Sequence, residues 1–159
     1  MSFNDIFNEI KNSPDKHPRG CQDYNRIESE LFEVVNNSGF IPGGSGKDFY
    51  GPFGELSLPY FNMGAINSLH LFGLDEMIIF CYYYNNRNRY KKASDLGANI
   101  GLHSVLMSKC GYQIEAYEPD PKHIEMIEKN FKLNDVNSVN LNRVAVSDIE
   151  HKTKFVRVL

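Results

Sequence analysis

The sequence predicts an α/β chain in two parts: a helical, aromatic-rich first part, then a small parallel sheet. Three observations carry this expectation. From Lys92 onward, short β-prone stretches alternate with helical ones, and a β-α-β-α-β series closes as a parallel sheet with right-handed crossovers. Two glycines, Gly97 and Gly101, sit at the first strand-to-helix junction, and the second strand ends on an acid, Glu118, followed by Pro119-Asp120-Pro121.

The elements follow in order. Phe3, Ile6, Phe7 and Ile10 recur at i, i+3, i+4 and i+7, the stripe of an amphipathic helix capped by Ser2 and stopped by Pro14. A second helix is predicted from Asp23 to about Asn37, with Ile27, Leu31, Val34 and Val35 on one face and Gly39 as terminator. Between Phe40 and Phe61 stand Pro42, Gly43, Gly44, Gly46, Gly51, Pro52, Gly54 and Pro59, which predicts a long loop without regular structure. Eleven Phe or Tyr residues crowd Phe49 to Tyr90; a packed core is favoured over a stacking platform for bases or sugars. A third helix should begin near Asp75 and run to about Arg89, with Met77, Phe80, Cys81 and Tyr84 on one side. Its basic end, Arg87, Arg89, Lys91 and Lys92, complements the negative end of the helix dipole.

Past Lys92 the expected series is a strand ending at Ala93 to Leu96, a helix from Leu102 to Cys110, a strand from Gln113 to Tyr117 and a helix from Pro121 to Leu133. In that last helix Ile124, Ile127 and Phe131 face inward. Strands from Val139 to Val146 and from Thr153 to Leu159 complete the reading. Residues 1–70 are read as a helical and loop extension, and residues 71–159 as the sheet domain.

Composition narrows the function classes. The chain has 159 residues, 42% hydrophobic and 23% charged, which suits one soluble domain, or a domain with an extension. The longest apolar or aromatic run, Met77 to Tyr84, is well short of the ~20 residues that span a bilayer. The start, Met1-Ser2-Phe3-Asn4-Asp5, lacks the basic and apolar regions of a secretory signal, so a cytoplasmic protein is expected, with no membrane partner. A net charge of −3 argues against generic affinity for nucleic acid, which needs clustered positive charge. Cys21, Cys81 and Cys110 form no C-x-x-C pair, and their odd number cannot close a full disulfide set. They are read as reduced.

The stretch that carries chemistry is Asp95-Leu96-Gly97-Ala98-Asn99-Ile100-Gly101. Gly97 lets the chain turn at the strand's carboxyl end, and Gly101 is expected to let a ligand lie against the backbone where the helix begins. Asp95, at the strand tip, can reach an amino group, while free helix N–H groups can meet a carboxylate. Together they suit an amino-acid moiety. Glu118, seventeen residues after Gly101, can accept hydrogen bonds from the vicinal hydroxyls of a ribose, near the ~20-residue offset of that acid in dinucleotide folds. Pro119 and Pro121 hold the chain in a fixed path beneath an adenine.

These residues resemble the FkbM type of S-adenosylmethionine-dependent methyltransferase. That family's first motif is similar to Asp-x-Gly-Ala-Asn-x-Gly and its second to Glu-Pro-Asp-Pro, both present here. Asn134, Ala145-Val146 and Ser147-Asp148 also look like the family, and the resemblance runs from about Asp75 to Leu159. It implies a Rossmann-like class I methyltransferase fold with S-adenosylmethionine as cofactor and a sugar or other small hydroxylated metabolite as methyl acceptor. It further implies that Asp95, Gly97, Asn99 and Gly101 hold the methionine portion, Glu118 the ribose, and Pro119 with Asp120 the border of the adenine. Asp120 is equally well read as a helix cap. Where many relatives place an acid to read the adenine amino group, this chain has Arg143, Val144 and Ala145. No catalytic base is identifiable.

Rival readings are weaker. A nicotinamide-binding domain wants G-x-G-x-x-G, whereas Asn99 stands where the second glycine belongs. Gly43-Gly44-Ser45-Gly46-Lys47-Asp48 suggests a phosphate-binding loop, but the pattern would put glycine at Ile41 and Ser or Thr at Asp48. His17, His70, His103, His123 and His151 show no metal-ligand spacing.

A class I methyltransferase sheet has seven strands in the order 3-2-1-4-5-7-6, and the 65 residues from Asp95 to Leu159 hold the first three plus one. The expectation is therefore an incomplete domain, inactive alone, that carries the cofactor-binding part. The alternative is a non-catalytic remnant fold with an interaction role. In either case an open edge at the first sheet strand favours self-association or pairing with a missing C-terminal part.

Overall fold

The computed structural model describes residues 1–149, 151 and 152. The chain divides into two compact units, Met1–Asn86 and Arg87–Leu159. Among the described residues there are five α-helices, and none is long and apolar enough to cross a membrane.

In the first unit, α1 (Phe3–Ile10) buries Phe3, Ile6, Phe7 and Ile10, the stripe its periodicity predicts. A reciprocal capping box starts it: Ser2 Oγ accepts from the Asp5 N–H at 3.3 Å and the Asp5 carboxylate accepts from the Ser2 N–H at 2.8 Å. The second helix, α2 (Gln22–Asn36), starts one residue before the predicted Asp23, and its cap is the Cys21 sulfur, which accepts from the Tyr24 N–H at 3.3 Å. It ends on Asn37. Gly39 answers a different need: a Cβ there would lie 1.9 Å from the Lys47 carbonyl oxygen, so only glycine lets the two backbones approach.

The stretch expected to lack regular structure holds a short antiparallel pair, β1 (Lys47–Phe49) and β2 (Glu55–Ser57), joined through a 3-10 turn at Gly51–Phe53. Strands of three residues are too short to show alternation, so glycine and proline dominate the sequence signal. Tyr50, which follows β1, is fully buried, with its ring 4.8 Å from Phe3, 5.4 Å from Phe72 and 6.1 Å from Phe80. Phe40 stacks on Phe72 at 4.6 Å. The aromatic crowding is therefore largely core, with Phe49 and Tyr82 left exposed.

Helix α3 (Leu74–Asn86) begins one residue before Asp75 and stops short of the expected Arg89. Asp75 instead lies in the first turn, where its carboxylate accepts from the Tyr24 hydroxyl at 2.8 Å and pairs with Arg19. Met77, Phe80 and Cys81 are buried, and α3 packs on α1 and α2. This packing places α3 in the first unit, so the division falls after Asn86 and not near residue 70.

The second unit is a β-α-β-α-β series: β3 (Lys92–Leu96), α4 (Leu102–Lys109), β4 (Gln113–Tyr117), α5 (Pro121–Leu133) and β5 (Val139–Asn142). All three strands are parallel, in the order β3-β4-β5. Ala93, Ile114 and Val139 share one register row, and Asp95, Ala116 and Leu141 the next. Ile114 and Ala116 are buried, α4 packs on β3, β4 and α5, and Ile124 and Ile127 of α5 are buried. Phe131, expected to face inward, is only half-buried. The opposite face is polar: Asn140 and Asn142 both donate to Glu115 Oε2, at 2.8 and 3.1 Å. The third strand ends at Asn142, short of the expected Val146, and Val144 and Val146 are exposed. The expected strand from Thr153 to Leu159 lies outside the described residues. The second unit is thus compatible with part of a Rossmann-like fold.

Desolvation separates the thiols. Burial pushes the Cys81 thiol from its ordinary 9.0 up to about 12 and the Cys110 thiol up to about 11, whereas Cys21 is half-buried. Because the thiolate is the nucleophile, an alkylating reagent at pH 8 should label Cys21 alone in the native chain and all three in denaturant, as read by mass spectrometry. Above pH 9 the unfolded chain releases thiol protons that the folded chain retains, so this contribution to stability falls as pH rises from 9 toward 12. Rapid native labelling of Cys81 would contradict the burial.

Candidate functional site

The candidate site is built where β3 and β4 end, the carboxyl edge at which parallel sheets bind ligands. After Leu96 the chain takes three left-handed residues in five: Gly97 (φ +79°), Asn99 (φ +54°) and Gly101 (φ +85°). Among non-glycine residues asparagine is one of the few that tolerates this region. The N–H groups of Gly97 and Ala98 both donate to the Tyr117 carbonyl at 2.9 Å, which hangs the loop on the end of β4.

Glu118, the next residue, is only 6% exposed. Its Oε2 accepts from the Asn99 N–H and its Oε1 from the Asp120 N–H, each at 2.8 Å. One carboxylate thus joins the loop after β3 to the loop after β4. An ionised carboxylate has about four acceptor positions, and these two N–H groups occupy one on each oxygen. His123, in the first turn of α5, brings Nδ1 to 3.9 Å from Glu118 Oε1 and Nε2 to 4.0 Å from Asp120 Oδ2. Asp120 is the cap of α5, its Oδ1 accepting from the Lys122 N–H at 2.9 Å. Pro119 is half-buried between the two acids.

Asp95 is half-buried and its Oδ2 accepts from the Ser104 hydroxyl at 2.6 Å. Two buried amide oxygens, Asn99 Oδ1 and Asn130 Oδ1, have no hydrogen-bond partner among the described residues. Such groups are rare in native structures, where ordered water often satisfies them.

The structure shows what lies on the Cβ side of Gly101. A Cβ at that position would lie 3.0 Å from Phe131 Cε1 and 3.4 Å from Ile127 Cγ1, so α5 fills that side of Gly101. Gly97 is the open one, with nothing within 4 Å of its Cβ position. Thus Asp95, Gly97, Asn99, Glu118, Pro119 and Asp120 gather around the two loop ends, while Gly101 shapes the turn from behind.

Three residues near the site were not assigned to it from the sequence. Ser104 is fully buried on α4, His123 stands beside the two acids, and Asn130, fully buried on α5, donates its Nδ2 to the Ile100 carbonyl at 2.8 Å. The available signal for Asn130 was a polar residue one turn on from Ile127 in an apolar stripe. Ser104 carried none beyond its place in the first turn of a helix that a glycine opens.

The phosphate-loop motif forms no cradle. The Gly44 N–H donates to Ile41, the Gly46 N–H to Gly39 and the Lys47 N–H to Ser45 Oγ, while the Lys47 ammonium lies 3.4 Å from Glu55. A groove of about 780 Å³ in the first unit, lined by Leu31, Phe32, Val35 and Phe72, contains none of the motif residues. Chemistry rather than volume selects the β3/β4 site. No family model matches the chain, and no curated protein matches it.

The two glycines should respond differently to alanine. Both substitutions force a left-handed alanine, costing about 1–2 kcal/mol, and Gly101→Ala adds an overpacking term of about 1–3 kcal/mol against Phe131 and Ile127. Urea denaturation followed through the second unit should show the larger loss for Gly101→Ala; a smaller loss than for Gly97→Ala would contradict the packing assignment.

Proposed function

We propose that the second unit binds S-adenosylmethionine and serves an FkbM-like methyl transfer to a hydroxyl of a sugar or other small hydroxylated metabolite. The observation that carries the reading is Glu118. This acid closes β4, is held by the loop that follows β3, and accepts one backbone N–H on each oxygen out of about four acceptor positions. Vicinal ribose hydroxyls are a donor pair that such a carboxylate recognises.

The other groups fit the same ligand. Asp95 and the buried Asn99 Oδ1 supply acceptors suited to the ammonium of the methionine portion. N–H groups in the first turn of α4 lack intrahelical acceptors and are the donors available to its carboxylate. The open side of Gly97 leaves room for the chain of the ligand to pass close to the backbone. Pro119 and Asp120 would border the adenine.

When bound, the sulfonium supplies a methyl group that is already activated. What remains for the protein is to hold the reactants in line and keep water out, contributions that derive from positioning rather than from a strong acid or base. Glu118 would orient the nucleoside, Asp95 would fix the amino-acid end, and Asn130 and Gly101 would hold the loop in shape between them.

Isothermal titration with S-adenosylhomocysteine, the demethylated product, tests the reading. Binding is expected, and Glu118→Ala should weaken it by more than about tenfold, the loss of hydrogen bonds to a charged group. Absence of binding at millimolar ligand by the folded chain would sink the cofactor assignment, and an unchanged affinity in Glu118→Ala would remove that residue from the site.

A further inference from the structure

We propose that Ser104 is a positioning residue that sets the Asp95 carboxylate for the ammonium end of the ligand, an inference that rests on the reading just given. Three observations lead to it. The Ser104 hydroxyl lies 2.6 Å from Asp95 Oδ2, the short separation of a hydroxyl donating to an ionised carboxylate. Ser104 is fully buried, so no solvent molecule stands ready to take its place. Asp95 accepts no other hydrogen bond among the described residues, and this one contact therefore determines where the carboxylate rests.

The bond is not what a serine in a helix usually makes. A helical serine tends to turn its hydroxyl back to the carbonyl four residues earlier, here that of Ile100. In this chain the Asn130 side chain already donates to that carbonyl, at 2.8 Å from α5. The carbonyl three residues back, of Gly101, accepts from the Val105 N–H at 2.9 Å. The single hydroxyl proton of Ser104 goes to Asp95, at the end of β3, instead. Asn130 thus occupies the Ile100 carbonyl from α5, and Ser104 holds the Asp95 carboxylate from α4. With Oδ2 held, Oδ1 is left to meet an incoming cation without a search through side-chain rotamers, the economy that preorganisation provides.

The linkage predicts an effect confined to one end of the ligand. Titration calorimetry with two compounds separates it from a loss of fold: S-adenosylhomocysteine, which carries the amino-acid portion, and 5′-methylthioadenosine, which lacks it. Ser104→Ala should weaken the first by about tenfold and leave the second unchanged, with far-UV circular dichroism as in the parent chain. Ser104→Cys, which keeps a weaker donor, should fall between. In an Asp95→Asn background, Ser104→Ala should have little further effect. Equal losses for both compounds, no loss for either, or losses that add in the double variant would overturn the proposal. Failure of the parent chain to bind either compound would instead defeat the site reading on which it rests.

Discussion

The second unit depends on one carboxylate accepting two backbone N–H groups. Glu118 draws the N–H of Asn99 and that of Asp120 to the same side chain, and these belong to two different strand-to-helix connections. Hydrogen bonds to a charged group contribute about 1.5–3 kcal/mol each, and here they also decide geometry. The first connection must bend through three left-handed residues to present the Asn99 N–H, and the second must turn at once to present that of Asp120. This acid ties the two loops to each other. The Tyr117 carbonyl, accepting from Gly97 and Ala98, holds the same junction from the backbone side.

Behind the junction, α5 acts as a brace. Ile127 and Phe131 press against the glycine at 101, and Asn130 takes the carbonyl of its neighbour Ile100. A loop with so many positive φ angles would sample many conformations in isolation. The brace and the carboxylate together leave it few. The first unit shows the contrasting way to fix irregular chain: the hairpin of three-residue strands is held by burying Tyr50 among Phe3, Phe72 and Phe80, a contribution of aromatic area rather than of directed bonds.

What was legible beforehand follows from how far apart the interacting residues lie. The stripe of α1, the span of β4 and the limits of α5 depend on residues within a few positions of each other, and periodicity reports them. Asp95, Gly97, Asn99 and Glu118 were legible for a related reason: strand ends and turn residues occur at set offsets in a β-α-β unit. At Gly101 spacing tells that a side chain is disfavoured, but not that Phe131 and Ile127 of α5 fill its Cβ side. Ser104 and Asn130 act on partners nine and thirty residues away, separations at which no local pattern survives. The same limit explains α3, whose apolar face was correctly expected to include Met77, Phe80 and Cys81 although the body it packs on was not.

Asn99 sets two kinds of selection against each other. Among the described residues its buried side-chain oxygen has no partner, a burden of about 1–3 kcal/mol. Its left-handed backbone would suit glycine at a cost of only about 0.5–1 kcal/mol in chain entropy. A screen for thermal tolerance alone would therefore drive this position toward glycine and discard the acceptor. A screen for retention of a ligand that donates to that oxygen would drive it back, so the residue recovered at 99 reports which pressure a population of variants has experienced.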